Sequence, residues 1–442
     1  MDHTTVARFT TIADVDRQIS LVLSDSPILT TGNFITSRLT RFEHPFFNAS
    51  PADALPRLLV LKELYRVHDA VDRTYAEHAR ANRARPASAS DLEVFRRTFE
   101  EIVELTTHRR PEFRSALGRA RRFLDLGCAP GGFATWLLQN TGMQGMGITL
   151  PSDTSVPGVP VQDALQSYAP RFPVYLEDVC EIARGQSVTD WEKHVPSTGF
   201  DLIIANACIM LAESSVPRST KIRLMYAQLL IALERITAGG TLILSLWMRP
   251  FDWVVDIVAI LNGSFGSIDA IKPRYQGKTS FAYIVCQDYK ITANKPRHIE
   301  HLRAVIQHLD SAEAGDIDTP TLPNLFDSGT PDEETVAFIV RLFTPAWQRQ
   351  CDAIHRDYER VLSGINSGPA AHSSQCPSSP TVSRRLQEIP AGRSNADNSF
   401  DWRKRHVEQP NDADYRRRQD QRNTGFRQLF GVPTAVSEGR WR

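Results

Sequence analysis

Residues 123–139 read FLDLGCAPGGFATWLLQ. A short apolar run with one aspartate in it meets a glycine, then a proline and two further glycines, and an amphipathic stretch follows. The pattern predicts a buried strand that stops at a tight turn and hands over to a helix. Many proteins that alternate strands and helices contain such a turn, so the turn alone names no ligand. What surrounds it decides the reading.

Around the turn, short apolar runs alternate with helical stretches. RRFLDLG is the first strand and GGFATWLLQN the first helix; GMQGMGITLP is a second strand and FPVYLEDV a third that ends in acids. VTDWEKHV reads as a short helix, and FDLIIANA as a fourth strand ending at Asn206. RSTKIRLMYAQLLIALERITAGG is predicted to be a long helix with a glycine stop. TLILSLW is a fifth strand, FDWVVDIVAIL a helix, and SIDAIKP and SFAYIVCQ a closing pair too near in sequence for a helical crossover, so antiparallel. The expectation is an α/β domain over about residues 119–292, a mostly parallel sheet covered on both faces.

The flanks differ in composition. Residues 1–118 are helical in pattern, most clearly in LPRLLVLKELYRVHDAVDRTYAEHARANRAR and in ASDLEVFRRTFEEIVEL, which Ser90 or Asp91 would cap. Helix returns over 293–364. From about 365 the chain turns Ser/Pro-rich and then polar, with RKR and RRR clusters, and reads as a disordered, locally basic tail. Lys plus Arg total 51 and Asp plus Glu 51, so there is no global field to gather nucleic acid; a basic surface has to be local. Six cysteines stand far apart with no Cys-x-x-Cys pair, which argues against a zinc site and against a disulfide framework. No run approaches the ~20 apolar residues of a membrane span, and the N-terminus lacks a signal-peptide pattern. The expectation is an intracellular protein, cytoplasmic or nuclear.

This strand order resembles the class I S-adenosylmethionine-dependent methyltransferase fold, a Rossmann-like sheet closed by an antiparallel hairpin. Ligands of such sheets sit beyond the carboxyl ends of the strands. Gly127, Gly131 and Gly132 lack a Cβ and would let a ligand approach the backbone. Amides at the start of the helix near Gly131 can meet a carboxylate such as the methionine end of the cofactor. Asp125 would orient the loop or the amino group, Asp178 would accept from the adenine amino group, and Phe133 and Leu150 would cover apolar faces. The alternative is that Asp125 and the glycines only shape a turn. A nicotinamide cofactor fits less well, because GCAPGG lacks the G-x-G-x-x-G spacing.

DLGCAPGGF, followed by LEDV, FDLIIANA, AGGTLILSLW and KPRYQGKTSFAYIVC, resembles the FtsJ-like (RrmJ-type) methyltransferases over residues 112–290, and most of all a fungal branch of large members. The resemblance implies S-adenosyl-L-methionine as cofactor and RNA as acceptor, methylated at a ribose 2′-oxygen. It maps Asp125, Gly127, Ala129, Pro130, Gly131 and Gly132, around Cys128, onto the cofactor loop, and Asp178 onto the adenine-contacting acid. Where relatives carry an acid for the ribose hydroxyls this chain has Thr149, with Asp153 near in sequence.

The family's catalytic Lys-Asp-Lys-Glu set is not retained. An isolated ribose hydroxyl holds its proton at pH 7, so a base or cation must be poised beside it. The aspartate slot holds Asn206, the second lysine slot Ser245 and the glutamate slot Phe281; the nearest cation to the first lysine slot is Arg114, and arginine is a poor base. Among Arg249, Lys272, Arg274 and Lys278, the expected surrogate cation is Lys278; the bland reading makes it a solvated hairpin lysine. His298, His301 and His308 share a predicted helix, read as an ordinary helix face rather than a metal site. Two functions follow: an S-adenosylmethionine-dependent methyltransferase with a non-standard catalytic set, or an inactive pseudo-methyltransferase that senses cofactor, binds RNA or serves as a scaffold.

Overall fold

The computed structural model describes residues 11–14, 16–17, 20, 39–67, 89–151, 163–208, 218–311 and 331–366. Helices α1 (His44–Ala49), α2 (Ala54–Val67), α3 (Ala89–Arg109) and α4 (Glu112–Arg119) precede the sheet. Then come β1 (Arg122–Leu126), α5 (Gly132–Asn140), β2 (Gln144–Thr149), β3 (Val174–Leu176), α6 (Val179–Ala183), β4 (Phe200–Ala205), α7 (Arg218–Arg235), β5 (Ile236–Trp247), α8 (Asp252–Ser264), β6 (Phe265–Ile271) and β7 (Phe281–Tyr289). Helices α9 (Lys295–Ser311) and α10 (Glu333–Asn366) complete the described chain. The basic tail, Asp153 and Cys376 fall outside the described residues, as does the second half of the long amphipathic stretch that α2 begins.

The seven strands are ordered β3-β2-β1-β4-β5-β7-β6, and β7 alone runs against its neighbours. This is the class I methyltransferase fold expected from the sequence. Alternation along the strands sorts the two faces. Phe123, Leu202, Ile204, Ile243, Tyr283 and Val285 pack with residues of α3, α4 and α5, among them Phe99, Phe113 and Leu137. Leu124, Ile203, Leu244 and Leu246 pack with α7, α8 and α9, and the same cluster takes in Leu58 and Leu61 of α2 and Phe343 and Trp347 of α10. Both flanking helical regions therefore share a core with the sheet.

Local details correct the sequence reading. ITAGG does not stop α7: the helix ends at Arg235, and Gly239 and Gly240 lie inside β5, where its register with β4 shifts between Phe200 and Leu202. A glycine in a strand marks such an irregularity as readily as a helix end. VTDWEKHV forms only a single 3-10 turn, Trp191–His194, which drives Trp191 fully into the core. Helix α3 begins at Ala89, so Asp91 sits inside its first turn rather than at its cap. No helix of the described residues is long and apolar enough to cross a membrane.

Candidate active site

Strand direction brings one edge together: β1, β2, β3, β4, β5 and β6 end there, and β7 begins there, with Phe281 opposite Trp247. The turn after β1 is tied into that edge by its backbone. Gly127 N and Cys128 N both donate to Ile148 O of β2, at 2.8 and 3.2 Å, and Asn206 N donates to Leu126 O at 3.0 Å. Gly127 and Gly131 take φ of +80° and +111°, a region that penalises any Cβ.

Protein already fills the space beside these glycines. A Cβ on Gly127 would stand 2.3 Å from Ala207 Cα, one on Gly131 2.4 Å from Leu165 Cδ1, and one on Gly132 2.5 Å from Phe95 Cβ and 2.6 Å from Arg96 N. Those neighbours belong to the loop after β4, to Leu165 and to α3. Cys128 Sγ likewise lies against Gly147 of β2. Phe133 is buried, with its ring centroid 4.9 Å from that of Phe99 and 5.6 Å from that of Tyr283.

Two features of the turn are left for a ligand. Asp125 is 2% exposed, and its Oδ2 is buried with no hydrogen-bond partner among the described residues. Burial alone pushes its carboxyl up to about 7. Gly131 caps α5 without any side-chain bond, and the helical ladder opens with Thr135 N donating to Gly131 O at 2.8 Å, so the amides of Gly132, Phe133 and Ala134 precede it. An uncompensated carboxylate beside uncapped amides suits an amino acid, whose ammonium and carboxylate ends need those partners. The residues present fit the methionine end of S-adenosylmethionine.

The two acids after β3 part company. Glu177 is buried and accepts from Val188 N at 2.7 Å and from Thr189 Oγ1, a structural assignment. Asp178 is half-buried and caps α6, its Oδ1 accepting from Cys180 N at 2.8 Å. Beside it Leu176 is 55% exposed, an apolar surface next to an acid that sequence reasoning passed over. The only signal was its place as the last strand residue. Thr149 is buried at the end of β2, with its carbonyl taking Glu177 N at 2.8 Å.

The other half of the edge is covered. Lys278, the expected surrogate cation, has its Nζ 3.0 Å from Asp357 Oδ2 of α10, and Asp357 is 7% exposed. The structure thus spends it on an ion pair that fastens the C-terminal helix. Lys272 is buried and donates from Nζ to Thr279 O, Thr279 Oγ1 and Phe281 O; burial, and then Lys62, hold its pKa well below the lysine range. Arg249 is gripped by Glu43, which is 1% exposed, through both its Nε and Nη2. Ser245 is buried and Phe281 half-buried. From α10, Trp347 Nε1 donates to Met248 O, Arg349 to Lys272 O, and Gln350 Nε2 to Lys278 O and Thr279 O. Arg114 is exposed on α4. Of the helical histidines, His301 Nε2 meets Asp256 Oδ2 at 2.9 Å and His298 Nδ1 meets Ser264 Oγ at 3.2 Å, contacts that dock α9 on α8.

Residues 109–289 match the family described as FtsJ-like methyltransferase, which supports that family for the sheet domain and with it S-adenosylmethionine as methyl donor. Similar solved structures include a Plasmodium falciparum protein described as a ribosomal RNA methyltransferase, 18% identical, covering 44% of this chain and 97% of that chain at a TM-score of 0.32. An O-methyltransferase family protein from Burkholderia thailandensis is 12% identical over 64% of this chain and 89% of that one, with a TM-score of 0.29. Human methyltransferase-like protein 13 is 14% identical over 46% and 90%, with a TM-score of 0.26. No curated protein matches the chain.

Proposed function

We propose that the chain is an S-adenosylmethionine-dependent methyltransferase that acts on RNA with a catalytic set of its own, at an intracellular site. The observation that carries the proposal is Asp125, a buried carboxyl whose Oδ2 has no hydrogen-bond partner among the described residues, set beside the uncapped start of α5. When bound, the cofactor supplies an electrophilic methyl group. Asp125 would accept from its ammonium, the amides of Gly132 to Ala134 would receive its carboxylate, and Asp178 with Leu176 would take the purine by a hydrogen bond and an apolar face. Asn206, held at the end of β4 by its backbone bond to Leu126 O, stands where an acceptor would lie. Its amide can orient a hydroxyl and cannot take the proton. RNA enters through the likeness of the strand-end motifs to the FtsJ-like ribose methyltransferases.

The second reading, a pseudo-methyltransferase, is favoured by the ion pair that holds Lys278 and by the burial of Ser245. Isothermal titration with S-adenosylmethionine and S-adenosylhomocysteine tests the first part: binding that Asp125→Asn and Asp178→Ala each weaken is expected, and no heat at millimolar ligand would end the enzyme reading. Transfer of labelled methyl to total RNA against total protein separates the two functions.

A further inference from the structure

Beyond the ends of β4 and β5 the described residues gather like charges around one aromatic ring. Arg218 opens α7, and Arg249 stands two residues past β5. Their Cζ atoms lie 4.5 and 4.9 Å from the centroid of the Phe251 ring. Lys62 of α2 reaches the same rim, with its Nζ 3.4 Å from Ser280 Oγ, and Ser280 O is bonded to Met248 N just past β5.

The three cations are not matched alike. Glu43 grips Arg249. Arg218 keeps a buried Nε with no hydrogen-bond partner among the described residues, and Asp252 acts on it only as a neighbouring charge. Burial lowers its pKa, with Asp252 and Glu43 opposing and Arg249 adding to the effect. Lys62 is half-buried, and burial followed by the charge of Arg249 brings its amine down to about 8. Arginine does not give up its proton under such pressure. A guanidinium that stays charged, desolvated and short of one acceptor is stabilised by an anion that can take it as a fork.

We infer that Arg218, held against the Phe251 ring beside Arg249, is a phosphate subsite that receives a phosphodiester of the acceptor RNA beside Asn206. The inference rests on the RNA methyltransferase reading. A phosphate oxygen would satisfy the orphan Nε, and its charge would offset the repulsion that Arg249 exerts on Arg218. Phe251, buried and stacked against Trp253 at 14° between planes, fixes where the guanidinium lies. The rival account makes the contacts of Arg218 and Arg249 with Phe251 a clasp between α7 and the β5 loop, with no ligand.

Anisotropy of a fluorescein-labelled single-stranded oligouridylate, titrated with the full chain at several salt concentrations, distinguishes them. Arg218→Met is expected to bind roughly tenfold more weakly, with a log–log salt slope shallower by about one contact, and tripolyphosphate is expected to compete against the wild type. Affinity within twofold of wild type at an unchanged slope overturns the subsite, as does a wild type that does not bind the oligonucleotide. Should Arg218→Met lose its circular dichroism signature, Arg218→Lys decides. It keeps a point charge but not the fork, so weaker binding at the wild-type slope supports the subsite and wild-type affinity overturns it. Cofactor heat in a wild type that ignores the oligonucleotide removes this inference and leaves the methyltransferase reading; Arg218-dependent oligonucleotide binding without cofactor heat does the reverse.

Discussion

Asp125 is costly to the fold when ionised, and the sign of its effect can be worked out. Its carboxyl sits near 7 in the folded chain, against ~3.9 in an unfolded one. The folded state therefore holds a proton that the unfolded state has released, so stability falls as pH rises from about 4 through about 7, and the loss is complete above that. Asp125→Asn removes the titration. The variant is expected to gain thermal stability at pH 8, of the order of ~4 kcal/mol at ~1.4 kcal/mol per unit, and to gain nothing near pH 4, while losing cofactor affinity. Wild-type cofactor binding is expected to tighten as pH rises through about 7, because the ionised carboxylate is the form that accepts from an ammonium. Thermal scans and calorimetry across that range check both. Lys278 gives the second expectation at this scale. With Asp357 also held by Arg360, Lys278→Ala is expected to cost about 1 kcal/mol and to leave methyl transfer unchanged; a large loss of transfer at unchanged stability would return it to the catalytic centre.

At the level of single elements, the start of α5 is fixed by a neighbour distant in sequence. Gly132→Ala would bring a methyl against Phe95 Cβ, Arg96 N and Leu92 O of α3, most of it backbone that cannot swing aside, and overpacking of this kind costs roughly 1–3 kcal/mol. The expected result is a lower denaturation midpoint together with weaker cofactor binding, since the amides of the first turn would shift. Elements of this kind were the most legible part of the chain. Apolar runs of strand length and their order read off directly, as did the antiparallel closing pair, because its connection is too short for a crossover. Asp125 and Asp178 could be placed because strand ends place them. What could not be read were contacts set by tertiary packing: nothing near Lys278 in sequence announces Asp357, nothing near Gly132 announces Phe95, and AGG reads equally as a helix stop or a strand irregularity until β4 lies beside it.

Among the described residues, both flanking helical regions share a core with the sheet. One hydrophobic cluster runs from Phe46 and Leu58 through Leu244 and Leu246 to Trp347 and Leu362. A fragment of residues 109–289, the stretch that matches the family, would expose the face that α2 and α10 cover, and is expected to be insoluble or to lack a cooperative unfolding transition. Trp347→Ala in the full chain removes a fully buried ring and its bond to Met248 O, at a cost of about 3–5 kcal/mol. A single shifted transition in urea would show that α10 and the sheet unfold together; two separate transitions would show that they do not.

Trp347, Arg349 and Gln350 tie α10 to Met248 just past β5, to Lys272 just past β6 and to the loop before β7. Ser245 is buried and Phe281 half-buried against the cluster on the α3 and α5 face, places that suit a small hydroxyl and an aromatic ring. A lysine written back at 245 would be a buried charge, so on the reading proposed above the chemistry is to be sought at Asp125, Asn206 and Arg218 instead.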